Sequence, residues 1–176
     1  MRMIKILAVE TSCDDTAIAI VDSSFRVHAN LISSQATHAD FGGVVPELAS
    51  RLHIRNIMPL TQAALLQAEC SLKDITALAV SVNPGLIGAL LVGVSFAKGL
   101  AYSLGIPLIA VNHMIGHVCA NKIEYPELEP PFLALIVSGG HTEIVYFKTY
   151  TNFNTVGRTL DDAAGEAFDK AAKLLQ

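Results

Sequence analysis

Cysteine is scarce in this 176-residue sequence: Cys13, Cys70 and Cys119 are few, odd in number and far apart. That excludes a disulfide framework and a cysteine-only metal cage, and it favours a reducing cytoplasm. Charge is scarce too, at 16% of residues, and the net value of −4 excludes a chain that grips nucleic acid by a general positive field. A nucleic-acid substrate then needs local basic patches or a partner to hold it. No apolar run reaches the roughly 20 residues that span a bilayer, because Gly, Pro, Ser or a charge interrupts each one. The opening Met1-Arg2-Met3-Ile4-Lys5 passes straight into a strand-like pattern and shows no secretory cleavage site. Apolar side chains are abundant instead, and a hydrophobic share of 52% argues for a packed core and against disorder.

Residues Ile4 to Val9 and Ala17 to Val21 predict two β-strands joined by the polar turn Glu10-Thr11-Ser12-Cys13-Asp14-Asp15-Thr16, and Arg26 to Ser33 predicts a third. Pro46 suits a first helical position, and Leu48, Leu52, Ile57 and Leu60 recur at helical intervals. A helix is therefore expected over Glu47 to Glu69, kinked or divided at Pro59. A strand over Ala77 to Val82, a break at Asn83-Pro84-Gly85 and a Gly/Ala-rich helix over Ile87 to Leu104 follow. Pro107 to Val111 predicts a short strand, and Asn112 an N-cap for the next helix. This order is that of an α/β domain, a mixed sheet flanked by helices.

The prolines and acids of Tyr125-Pro126-Glu127-Leu128-Glu129-Pro130-Pro131 mark a boundary, giving domains 1–124 and 125–176. Beyond it, Phe132 to Val137 and Glu143 to Phe147 flank the tight turn Ser138-Gly139-Gly140-His141-Thr142. This hairpin is laid out like the first one, as an internal duplication would produce. A last helix is expected to begin near Asp161, so only the opening of a second domain is present and the sequence reads as part of a longer protein.

His113 and His117 stand four residues apart on the helix expected after Asn112, so they project from one face and can share a metal ion. Both fall in its first turn, where the helix dipole favours the neutral imidazole that ligates. Ordinary contacts on a half-exposed helix are the plain alternative. A zinc peptidase would carry a glutamate beside the first histidine as general base, and here that position is Met114, which takes no proton.

In the second hairpin, Gly139 and Gly140 let backbone approach an anion or a ribose, with the hydroxyls of Ser138 and Thr142 beside them. A Ser-Gly-Gly turn serves a plain hairpin equally well. Glu10, Asp14 and Asp15 could hold a metal or a reacting amine, or merely face water. Thr159 or Asp161 is the expected cap of the last helix, which leaves Glu166 and Asp169 as its acids open to a further role. Arg51, His53 and Arg55 form a small basic cluster, either a solvated helix face or a phosphate contact.

Several of these pieces, in this order, resemble the motifs of one family across essentially the whole chain. They are Glu10-Thr11-Ser12-Cys13-Asp14, Gly42-Gly43-Val44-Val45-Pro46-Glu47, Pro84-Gly85-Leu86, and Asn112-His113 with His117. Ser138-Gly139-Gly140-His141-Thr142 and the run from Asp161-Asp162-Ala163 through Phe168-Asp169-Lys170 complete the set. The family is the bacterial TsaD type of tRNA N6-adenosine threonylcarbamoyltransferase, formerly called O-sialoglycoprotein endopeptidase or glycoprotease. The resemblance implies an actin-like ATPase (ASKHA, ribonuclease H-like) fold with two duplicated domains around a cleft, of which the first and the start of the second are present.

It also implies an acyl transfer: the threonylcarbamoyl group passes from threonylcarbamoyl-adenylate to N6 of the adenosine just 3′ of the anticodon. The tRNAs concerned read codons beginning with adenine, and AMP is released. The resemblance implies His113 and His117 as ligands of one divalent metal, iron(II) first and zinc second. Ile136, Val137, Ser138, Gly139, Gly140 and Asp169 would belong to the adenylate site, and Glu10 would have a catalytic role. Implied partners are tRNA, a paralogous scaffold subunit and a small ATPase, without a membrane. The family's third metal ligand, a carboxylate far downstream, and its later glycine and asparagine contacts to the adenylate do not occur in these residues. Two histidines alone should bind metal weakly, so this stretch is expected to be inactive or nearly so by itself. Rival readings are a metallo-endopeptidase, which Met114 disfavours, a scaffold paralogue, which would lack the histidine pair, and a small-molecule kinase of the same fold.

Overall fold

The structure, a computed structural model, describes residues 4–41 and 43–175. Expectations that fall on Met1 to Met3, Gly42 and Gln176 lie outside the described residues. The chain forms two compact units, Met1–Ile115 and Gly116–Gln176.

In the first unit, β1 (Lys5–Glu10), β2 (Asp15–Asp22) and β3 (Val27–Ser34) form an antiparallel meander. A 3-10 segment (Ala36–Phe41) leads to α1 (Pro46–Gln67), and β4 (Ala77–Asn83), α2 (Ile87–Leu104) and β5 (Leu108–Asn112) follow. The sheet order is β3-β2-β1-β4-β5, with β4 parallel to both β1 and β5. It is therefore mixed, as the element order predicts. Alternation along the strands buries Leu7 and Val9 of β1, Ile18 and Ile20 of β2, and Leu78 and Val80 of β4. Each such side chain contributes about 1.5–3 kcal/mol by leaving water.

α1 runs undivided through Pro59, with Pro46 at its start. The expected division does not occur, because Ala49, His53, Ile57, Thr61 and Ala64 bury a continuous stripe on both sides of the proline. The expected solvated cluster also changes: Arg51 and Arg55 are exposed, but His53 is 0% exposed. Its Nδ1 pairs with Thr16 Oγ1 at 2.8 Å and its Nε2 with the Cys13 carbonyl at 2.9 Å. These bonds tie α1 to the turn after β1 and to the start of β2. α2 is long and apolar enough by length and composition to cross a membrane. One face of it, Ala89, Leu90, Gly93, Ala97 and Ala101, is buried within the first unit, while Ile87, Leu91 and Tyr102 are exposed, and Gly105 ends it in the left-handed region at φ 64°.

α3 (His113–Glu124) begins directly after β5. In the second unit β6 (Phe132–Val137), β7 (Thr142–Thr149) and β8 (Asn152–Arg158) form an antiparallel sheet in that order, followed by α4 (Ala164–Leu174). Leu133 pairs with Tyr146, so β6 and β7 form the expected second hairpin. Phe147, fully buried, stacks on Phe132 and Phe153 with ring centroids 5.2 Å apart in each case. α4 starts at Ala164 rather than near Asp161. Its end is closed by Thr142 Oγ1, which accepts from the Ala164 N–H at 2.9 Å, and by Glu166, whose carboxylate accepts from the Ala163 N–H. Thr159 instead donates to the Asp162 carbonyl in the preceding turn.

Candidate functional site

The turn after β1 is sealed against the start of α2. Thr11 is buried and its hydroxyl donates to the Ala89 carbonyl at 2.9 Å, while the Leu86 N–H donates to the Ser12 carbonyl at 2.7 Å. A Cβ on Gly85 would lie 2.5 Å from that carbonyl oxygen, and one on Gly93 would lie 2.3 Å from Thr11 Oγ1. Glycine at both positions is what lets the chain come this close.

Glu10 closes β1 at this turn. One carboxylate oxygen accepts the Ser12 N–H, and the other lies 3.1 Å from His113 Nδ1, which is also 3.2 Å from Ser12 Oγ. Burial pushes the Glu10 carboxyl up, but hydrogen bonds from His113, Ser12 and Ser81 outweigh it and hold the group at about 2. The same bond to Glu10, opposed by burial, raises His113 above its ordinary value. At His113 the Glu10 carboxylate thus acts against the helix dipole's preference for the uncharged ring. Asn112 caps α3 as predicted, accepting from the Met114 and Ile115 N–H groups at 2.9 and 3.2 Å. Cys13 is exposed, and burial of its sulfur together with Asp14 raises its thiol to about 11, so it is not a ready nucleophile.

His117 follows His113 by four residues on α3, so the predicted histidine pair lies on one helix face. Imidazole donors in this arrangement suit iron or zinc. No group of three or more His, Cys, Asp or Glu that could hold a metal occurs among the described residues, so Asp14 and Asp15 do not complete a site with Glu10. The histidine pair fits such a metal as a partial donor set.

In the second unit, His117, Asn121, Phe132, Ile136 and Ser138 help line an open cavity of about 380 Å³. Val137 also lines it, so three of the residues predicted for the adenylate share a concavity with a predicted metal ligand. Gly140 lines a different concavity of about 410 Å³ with His141, Glu143, Arg158 and Asp161. Asp169 is exposed on α4, one turn beyond Gly165. The hydroxyls expected to face a ligand are engaged locally: Ser138 Oγ accepts the His141 N–H at 3.2 Å, and Thr142 caps α4. A Cβ on Gly165 would lie 2.5 Å from Gly139 Cα, so α4's own backbone makes the close approach to this glycine turn. Asn121 was not among the predicted residues, yet it continues the 113–117 stripe by one more turn, and that spacing was available to find it.

Solved structures with the actin-like ATPase, ribonuclease H-like fold share this architecture. A Pseudomonas aeruginosa protein titled YeaZ matches at TM-score 0.57 and 17% identity, over 87% of this chain and 66% of that one. Component A of (R)-2-hydroxyglutaryl-CoA dehydratase from Acidaminococcus fermentans matches at TM-score 0.52 and 13% identity, over 98% of this chain and 54% of that one. At these identities the likeness speaks for the fold alone.

The family model described as TsaD, tRNA N6-adenosine threonylcarbamoyltransferase, matches residues 26–176, and the chain belongs to that family. Curated relatives named tRNA N6-adenosine threonylcarbamoyltransferase include one from Clostridium botulinum, 57% identical over 173 residues, covering 98% of this chain and 51% of the relative. Another, from Moorella thermoacetica, is 56% identical over 171 residues, covering 97% and 50% respectively. The chain thus spans about half the length of the curated relatives it matches.

Proposed function

We propose that this chain supplies the N-terminal part of an enzyme that transfers the threonylcarbamoyl group of threonylcarbamoyl-adenylate to N6 of the adenosine 3′ of the anticodon, in tRNAs reading codons that begin with adenine. The observation that carries this is the 57% identity over 98% of the chain to a relative of that name. His113 and His117 would hold a divalent metal, iron(II) or zinc, and a metal there supplies Lewis-acid stabilisation of charge developing on the carbamoyl oxygen.

Ile136, Val137 and Ser138 form the wall of the same cavity as His117, a place for the adenylate, with Gly139, Gly140 and Asp169 beyond it. Glu10, held at about 2, is too weak a base to take a proton from the attacking amine at neutral pH, so its part is electrostatic and positional. AMP is the leaving group, and the base of the tRNA must be splayed out to be reached. The net charge of −4 supports a grip on tRNA that is shared with other proteins; a paralogous scaffold subunit and a small ATPase as those proteins, and a cytoplasmic setting without a membrane, are part of the same proposal. The peptidase reading is disfavoured by Met114, whose buried thioether replaces the base that hydrolysis needs.

By itself the chain holds two nitrogen donors, too few for a firm metal site. The expected outcome is no transfer by the purified chain given tRNA, threonylcarbamoyl-adenylate and iron(II). Joining it to the C-terminal half of the Clostridium botulinum relative should restore transfer, and His113→Ala with His117→Ala in the joined protein should abolish it again. Full transfer by the short chain alone, or by the joined double variant, would overturn the proposal.

A further inference from the structure

Resting on the metal reading of His113, we infer that Glu10 is the positioning residue for that ligand: it fixes which ring nitrogen of His113 faces the metal. An ionised carboxylate only accepts hydrogen bonds. The nitrogen that lies 3.1 Å from Glu10 Oε2 must therefore carry the proton, which makes His113 an Nδ1–H imidazole. In the neutral ring the lone pair is then on Nε2, and Nε2 is the ligating atom. Ser12 Oγ, at 3.2 Å from the same Nδ1, completes the socket around that edge of the ring.

The socket is built on rigid elements. Glu10 is the last residue of β1, whose register with β2 is unbroken from Lys5 to Glu10, and its other oxygen is held by the Ser12 N–H. Ser12 in turn is fixed through its carbonyl by Leu86, against a glycine that leaves no room for a side chain. The backbone of His113 is pinned from the other side by the Asn112 cap, and the Asn112 amide donates to Asn83 Oδ1 at 3.1 Å. Ring and backbone are thus held by separate contacts. This is the carboxylate–histidine–metal arrangement, in which the outer carboxylate sets tautomer and orientation and its loss costs roughly 10–100-fold in metal affinity.

The test combines ¹⁵N NMR of the histidine rings in the metal-free chain with calorimetric titration of zinc(II) into the chain joined to the C-terminal half of the Clostridium botulinum relative, on the wild type and on Glu10→Ala, Glu10→Gln and His113→Ala. In the wild type His113 is expected as the Nδ1–H tautomer. Glu10→Ala should release it to a mixture and weaken zinc roughly 10–100-fold. Glu10→Gln keeps the side-chain volume but offers one acceptor oxygen to two donors, the Ser12 N–H and the His113 Nδ1–H, so it should keep part of the tautomer preference and bind zinc more weakly than wild type. If Glu10→Ala does not fold, zinc affinity in Glu10→Gln equal to wild type overturns the inference.

His113→Ala separates the two levels. Unchanged zinc affinity in that variant defeats the metal reading, and this inference with it. Zinc lost in His113→Ala but retained, with the Nδ1–H tautomer, in Glu10→Ala defeats the positioning role alone.

Discussion

Gly85 and Gly99 lack the same Cβ in opposite surroundings. At Gly85 an added methyl would sit 2.5 Å from the Ser12 carbonyl oxygen and 2.8 Å from Ser12 Cβ, while at Gly99, exposed inside α2, nothing lies within 4 Å. Gly85→Ala should therefore cost about 1–3 kcal/mol of stability, and Gly99→Ala should gain about 0.5–1 kcal/mol by removing helix-interior glycine entropy. Urea unfolding of both variants checks this. An unaffected Gly85→Ala would mean that the turn after β1 does not press on Pro84-Gly85. At this scale spacing showed which residues could meet, but not which would be buried. The 113–117 pair was legible because one helix carries both members. The pairing of Glu10 with His113 was not, because 103 residues separate them and only the parallel register of β1, β4 and β5 brings them together. His53 sits between two arginines in sequence, and nothing local distinguishes its buried face from theirs.

The β2–β3 hairpin shows how one buried acid can organise an element. Asp22 ends β2; one of its oxygens accepts the Ser24 and Arg26 N–H groups of the turn, and the other lies 2.8 Å from His28 Nε2. The His28 hydrogen bond, with burial opposing it, lowers the Asp22 carboxyl below its ordinary value. A depressed carboxylate adds stability above its unfolded value, roughly 3.9, and loses it as pH falls through the lower folded one. Asp22→Asn keeps an oxygen for the turn but removes the titration. The variant should be less stable than wild type at pH 7 and flatter along the acid limb, as read by thermal unfolding between pH 2 and 6. Parallel curves would detach Asp22 from acid sensitivity. Elements with a strong apolar rhythm were legible, α2 to the residue and both hairpins within one or two. β8 was missed because Asn152–Arg158 is a polar edge strand, paired only with β7, with no buried face to impose alternation.

For the molecule as a whole, the sequence conveyed the α/β class but not which surfaces stay uncovered. β6 reads as an unbroken apolar run, and such a run does not say whether one face or both are buried. In the structure Ile136 is buried, while Leu133, Leu135 and Val137 are 65%, 69% and 55% exposed. Cross-strand pairing puts Tyr146 and Ile144 beside Leu133 and Leu135, so the second unit carries a contiguous apolar sheet face open to solvent. Exposed patches of this kind drive association or await a covering partner. The 176-residue chain should therefore bind the dye ANS in its native state and self-associate at micromolar concentration in sedimentation velocity. Leu135→Lys, in the middle of that face, should cut both signals while changing unfolding free energy by no more than about 0.5 kcal/mol, since the side chain is already in water. If ANS fluorescence stays at baseline for the wild type, that face is covered in solution. If Leu135→Lys instead unfolds the second unit, Leu135 belongs to the core and the orientation of β6 is reversed from the one described.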